Sequence, residues 1–502
     1  MNEGVASKIL FAIDRKLDDI DQAYEEGRWL KNQGRLSAED QNSLETRRAA
    51  CLLDPALRDI IAEYKGHAQD PILNRLISVF ERLVLSAQIE SDITIYPLRT
   101  EIEQLIINYP MIVRGQPVTR TDLREILRKE SDPGLRKEAS SCFDDLSRQL
   151  APLLVQLIKS RNELAQKLGY ANYAVLALFL QGLDRSSLSQ WFDALLQKTD
   201  DIYSKFLDES RQNLGQDRLH SQDLDYALSS FKTPPDEYFS RRNLISSIQL
   251  LAKEIGLAEA LETIRIDFVD IPWQGLCVTV HGPEDIRILM NPSDGHVFYP
   301  TFFHEVGHGM HWHHIQQELH VFNDEPGPFC EGMADTMARF VDDYDWLRKY
   351  SGMPDDLARQ SVSNWPHRVN LQIRKQIGLA EFEWQMYTTR SDDYLDIYRS
   401  VMSRCLGVSY QKIEAWADNM FWTSYPFYVQ NYVLSEMIAS QTHASLKNTF
   451  GRALHSQSGV WLIQNYWSPG GSIEWSDKIK IATGIPLSPY QLIRDINTPP
   501  LS

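Results

Sequence analysis

The chain has 502 residues, 43% of them hydrophobic, and a formal net charge of −17. It is long enough to bury a large core, and it lacks the basic stripe that nucleic-acid binding needs. No apolar run reaches the roughly 18 residues of a membrane span, and Asp14, Arg15 and Lys16 come too early for a signal peptide. The cysteines at 51, 142, 277, 330 and 405 are odd in number and form no Cys-x-x-Cys pair. They fit a reducing, cytoplasmic compartment.

From Ala6 to about Asn32, Ile9, Leu10, Ile13, Leu17, Ile20 and Tyr24 recur at three- and four-residue steps, which predicts an amphipathic helix. Its polar face is mostly acidic, so a membrane-surface role is excluded. Between roughly 38 and 270 the helical pattern continues. It is broken at Asp54-Pro55, Asp70-Pro71, Asn108-Tyr-Pro110, Asp132-Pro-Gly134 and Thr233-Pro-Pro235, each read as a turn between helices.

The period changes at Ile264, where Ile264-Arg-Ile-Asp-Phe-Val-Asp-Ile alternates apolar and polar residues. With 274–280 and 286–290, joined by the turn His281-Gly-Pro-Glu284, it predicts a small antiparallel ribbon. A sheet edge can take up an extended peptide as one more strand. Thr279 and His281 are the alternating residues expected to face it.

Next comes Thr301-Phe-Phe-His-Glu-Val-Gly-His-Gly-Met310, which holds His304-Glu305-x-x-His308. Residues four apart share one face of a helix, so both imidazoles can bind one zinc ion while Glu305 acts as general base on the attacking water. Gly307 and Gly309 lower helix propensity where close packing would explain them.

A catalytic zinc needs a third protein ligand, and three candidates follow. His314 stands where the metzincin pattern has its third histidine, but His311 replaces the glycine that would turn the chain back. Pro326-Gly-Pro328 breaks the chain before a helix expected to begin near Phe329, with Glu331 and Asp335 four apart on its polar face. Glu331 can then face the metal, and Asp335 the outer nitrogen of a ligating imidazole. Cys330 lies about 100° around that helix from Glu331 and reads as a packed thiol. The spacing behind His308 favours Glu331.

Trp346, Trp365, Trp384 and Trp416 read as core. Tyr425, Tyr428 and Tyr432 differ, because a hydroxyl buried over a metal needs a partner and a developing oxyanion supplies one. The tail from Pro486, with its prolines, reads as a surface segment.

His-Glu-x-Gly-His followed by Glu-x-x-x-Asp at 331 − 308 = 23 residues resembles the gluzincin peptidases of the angiotensin-converting-enzyme and thimet-oligopeptidase type. The likeness extends to the strand 285–291, the edge strand 275–280, Leu157 to Tyr173, and Tyr425 to Glu436. The resemblance implies that His304, His308 and Glu331 bind zinc, that Glu305 is the general base, and that Asp335 supports a ligating histidine. It puts the transition-state tyrosine at Tyr432, an auxiliary substrate-binding tyrosine at Tyr425, and a lid in the amino-terminal helices, which periodicity alone reads equally as packing helices. Two departures stand out: Met420 or Trp422 occupies the place of a histidine before that tyrosine, and no lysine lies between Lys412 and Lys447 to grip a substrate's terminal carboxylate.

The expectation is a mostly α-helical, two-lobed zinc peptidase with a deep cleft and a small antiparallel β-ribbon beside the zinc helix. Residues 1–502 form one interleaved unit, with a helical part at 1–263 and a catalytic part at 264–502. It binds one Zn2+ per chain and cuts short peptides, with no nucleic-acid or membrane partner. Two other readings stand beside it: a zinc-containing protein that binds peptide without cutting it, and a zinc hydrolase of a non-peptide amide.

Overall fold

Aspartate before proline punctuates the helical part. Asp54, Asp70 and Asp132 each accept a backbone amide through the side chain, and Pro55, Pro71 and Pro133 begin the next helix. Proline tolerates the first helical turn because its missing N–H would find no partner there. The computed structural model describes residues 2–269, 274–390, 393–410 and 416–498. It is mostly helical, with one three-stranded sheet and one two-stranded ribbon. Among the described residues no helix is long and apolar enough to cross a membrane.

The amino-terminal helix runs from Glu3 to Asn32, capped by Asn2. Leu10, Ile13, Leu17 and Ile20 bury its apolar stripe against the next helices and against Val321 and Phe322. Near its far end, Trp29 packs on Val278, Val280 and Leu289 of the three-stranded sheet. One helix therefore joins the amino-terminal bundle to the sheet beside the predicted site.

That sheet corrects the expected antiparallel ribbon. Gly275–His281 pairs antiparallel with Asp285–Met290, but Ile264–Phe268 pairs parallel with Asp285–Met290 on its other side. Ile286, Ile288, Leu289 and Met290 are fully buried, so the most apolar strand takes the centre. Alternating residues reveal which face of a strand is buried, not which strands become neighbours.

The largest apolar cluster contains residues from Ile89 to Ile496 and so draws on both parts of the chain. At its middle are three helices: the motif helix Phe298–His313, the carboxylate helix Gly327–Ala338 and the tyrosine helix Gln430–Phe450. A β-carbon at Gly307 would lie 2.9 Å from Met337 Cβ and 3.0 Å from Ala334 Cα, and one at Gly332 would lie 2.7 Å from Ile438 Cδ1. Glycine at these two crossings lets the three backbones approach closely enough for their polar faces to meet.

Candidate metal centre

His304 and His308 project from one face of the motif helix with ring centroids 4.7 Å apart and planes perpendicular. Glu331 reaches them from the carboxylate helix: Oε2 is 3.1 Å from His304 Nε2, and Oε1 is 3.9 Å from His308 Nε2. One ligand atom from each of the three lies within 4.8 Å of the others. Among the described residues this is the one such cluster of three or more His, Cys, Asp or Glu side chains.

The donor set fits a metal cation. Glu331 Oε2 is buried and accepts no hydrogen bond, because its contact with His304 is close without having hydrogen-bond geometry. A buried carboxylate oxygen with no donor is costly, and a cation among these lone pairs would satisfy it. Asp335 Oδ1 lies 2.7 Å from His304 Nδ1, which turns the Nε2 lone pair toward the cluster. Ser435 of the tyrosine helix donates to the other oxygen of Asp335.

Electrostatics agree. Burial opposes charge on Glu331, yet the contact and charge of His304, then His308 and the Tyr428 hydroxyl, bring its carboxyl down to about 2. His304 is held well above the usual imidazole range: burial lowers it, but the Asp335 and Glu331 carboxylates outweigh that. Burial, and then the His304 charge, drive His308 down to about 3, leaving a neutral ring with a lone pair to give.

Glu305 is buried beside the cluster. Burial first, and then the Glu331 charge, raise its carboxyl to about 7, against the charge of His304 and a hydrogen bond from the Cys277 amide. A β-carbon at Gly275 would sit 2.6 Å from Glu305 Cγ, so glycine at the start of the edge strand makes room for the acid. Such a carboxyl exchanges a proton near neutrality, as a general base must.

Residues 280–498 match the sequence model of peptidase family M3. The chain is a gluzincin-type metallopeptidase related to that family. Solved structures similar over nearly the whole chain include an M32 carboxypeptidase from Deinococcus radiodurans R1, with 12% identity, a TM-score of 0.68, and 98% of each chain covered. A carboxypeptidase from Pyrococcus furiosus has 16% identity and a TM-score of 0.69 over 99% of each chain. PZ peptidase A, solved with an inhibitor, has 15% identity and a TM-score of 0.67 over 96% of this chain and 97% of its own. At such identities the structures speak for the fold. No curated protein matches the sequence. The metallopeptidase hydrolyses peptide bonds in a metal-dependent reaction.

The other sequence candidates of the metallopeptidase fall at different distances from the cluster. Tyr432 is near it: burial and the charges of Glu331, Glu305 and Asp335 push its hydroxyl well above the usual range. Tyr425 is 57% exposed, with its ring 6.2 Å from those of Phe421 and Tyr428. Thr279 and His281 lie four and six residues along the edge strand from Gly275, so at about 3.3 Å per residue they are roughly 13 and 20 Å from its metal end. His281 Nδ1 lies 3.2 Å from Glu284. The residues at the metal end are Gly275 to Cys277.

His314 and Cys330 are engaged elsewhere. His314 Nδ1 lies 2.7 Å from the Met310 carbonyl, and the Cys330 thiol bonds the Glu325 carbonyl at 3.1 Å. Sequence reasoning grouped Tyr428 with Tyr425 and Tyr432 over the metal but missed its contact with Glu331, whose Oε1 accepts from the Tyr428 hydroxyl. It also missed the buried network in which Glu325 accepts from Lys478 and lies 2.7 Å from His311 Nε2. Helix periodicity does not carry Tyr428 onto the face of Tyr432, because the helix starts at Gln430.

Proposed function

We propose that the metal is a single zinc ion held by His304, His308 and Glu331, and that the substrates are short peptides. Two imidazoles and a carboxylate are the ligand set of a catalytic zinc site that keeps one position open. The observation that carries the reading is the convergence of three lone-pair donors, one of them a buried, donor-less oxygen of Glu331, beside a neutral-range Glu305.

A zinc ion at this place supplies Lewis acidity to water and to the scissile carbonyl. Glu305 takes the proton of the attacking water and passes it to the leaving nitrogen. Asp335, itself held by Ser435, orients His304. Tyr428 orients Glu331. Tyr432 donates its hydroxyl to the oxygen that gains charge as water adds. The edge strand Gly275–His281 aligns the substrate backbone as an added strand, with Tyr425, Thr279 and His281 along the peptide's path.

The chain works as one interleaved unit, with a deep cleft between its helical parts that admits peptides and rejects folded proteins. All five cysteines are free, which suits a cytoplasmic enzyme. Mass spectrometry of a mixed peptide library tests the reading: the zinc-loaded protein should produce new termini, and a chelator should stop this until zinc is restored. An untouched library would overturn it.

A further inference from the structure

The segment before the tyrosine helix is held from beneath by groups with no part in the chemistry just described. Arg161 is buried and donates to the Trp422 and Thr423 carbonyls, each at 2.6 Å, and to the Tyr387 hydroxyl at 2.9 Å. Four residues later Phe427 adopts φ 57°. A residue with a β-carbon is uncommon in this left-handed region and stays there only when its surroundings hold it.

Those surroundings are specific. The Phe427 ring is buried, 5.3 Å from that of Tyr387 and 6.1 Å from that of Tyr173. Its N–H donates to Glu383 Oε1 at 2.9 Å. Its carbonyl accepts from Gln181 Nε2 at 2.7 Å and from Gln430 Nε2. The next residue is Tyr428, whose hydroxyl lies on Glu331.

Glu383 is fully buried, and its second oxygen has no partner. Burial lifts its carboxyl to about 8, against the Phe427 amide and the Arg161 charge, so near neutrality it is largely an uncharged acceptor. A buried acid with one bond and an orphaned oxygen is a poor packing choice, and such a departure from local rules marks a constraint set by the site.

We propose that Glu383 and Gln181 are positioning residues for the metal centre, gripping the two sides of the Phe427 peptide so that the Tyr428 hydroxyl stays on Glu331. The proposal rests on Glu331 being a metal ligand. Partners that orient a ligand are worth about 10- to 100-fold in metal affinity, so loss of the grip should be felt there, and only through Tyr428.

The test is a double-mutant cycle read as zinc affinity by chelator competition, with melting temperature recorded for each protein. Glu383→Leu should lower zinc affinity about 10-fold, and Glu383→Gln, which keeps a carbonyl acceptor, should restore it. In the Tyr428→Phe background, Glu383→Leu should change affinity by less than about 2-fold, because the contact it acts through is already gone. An equal loss in both backgrounds, or a lower melting temperature with unchanged zinc affinity, would overturn the proposal. Should Glu383→Leu fail to fold, Gln181→Met is read in the same cycle, with the same coupling expected and an uncoupled result fatal. Because the readout is affinity, failure of peptide cleavage would damage the functional reading and leave this result to stand or fall by itself.

Discussion

Asp335 Oδ1 lies 2.7 Å from Nδ1 of His304, across the crossing of the carboxylate and motif helices. The contact depends on the bare backbone of Gly307 at that crossing. Without the carboxylate, the imidazole loses both its fixed tautomer and its orientation. Asp335→Ala should therefore weaken zinc binding about 10- to 100-fold, measured by competition with a chromogenic chelator. An unchanged affinity would detach Asp335 from the site.

Glu305 combines burial with a carboxyl raised to about 7. Glu305→Gln keeps the side chain's shape and removes its ability to take a proton. It should retain zinc while kcat/KM falls by about 10²- to 10⁴-fold. Zinc content and steady-state hydrolysis of a quenched fluorescent peptide separate the two effects, and near-normal turnover would end the general-base assignment.

The Tyr432 hydroxyl makes no hydrogen bond among the described residues, although the charges of Glu331, Glu305 and Asp335 bear on it. An unspent donor at this place suits an oxygen that becomes negative only during the reaction. Tyr432→Phe should lower kcat about 10²- to 10³-fold with a much smaller change in KM. A KM effect alone would make it a binding residue.

Glu383 gives stability a pH dependence of known sign. Its carboxyl is at about 8 in the folded protein against an ordinary value of 4.5. Between these values the unfolded chain has released a proton that the folded chain still holds, so this group's contribution to stability falls as pH rises from about 4.5 to about 8 and is level above that. Melting temperatures from pH 5 to 9 should show Glu383→Gln gaining on the wild type as pH rises. A constant difference would contradict the assignment.

Local chemistry made part of the molecule legible in its sequence. The Asp-Pro steps at 54, 70 and 132 declared helix starts because cap and proline act on their immediate neighbours. His304, His308 and Glu331 could be paired because helix periodicity and one break before Phe329 limit where each side chain points. Strand order was hidden, since alternation in Ile264–Phe268 says nothing about whether it pairs with 275–281 or 285–290. The contacts of Tyr428 and Glu383 and the Lys478–Glu325–His311 network were hidden for a related reason. Their partners lie up to 153 residues away in sequence, and nothing local distinguishes them from ordinary surface or core residues.

The central claim is that one zinc ion sits between the motif helix and the carboxylate helix. The most direct test is zinc stoichiometry, by elemental analysis after exhaustive dialysis, of the wild type, Glu331→Ala and His314→Ala. The proposed ligand set predicts one zinc per chain in the wild type and in His314→Ala, and almost none in Glu331→Ala. Full zinc in Glu331→Ala, or its loss in His314→Ala, would contradict the account.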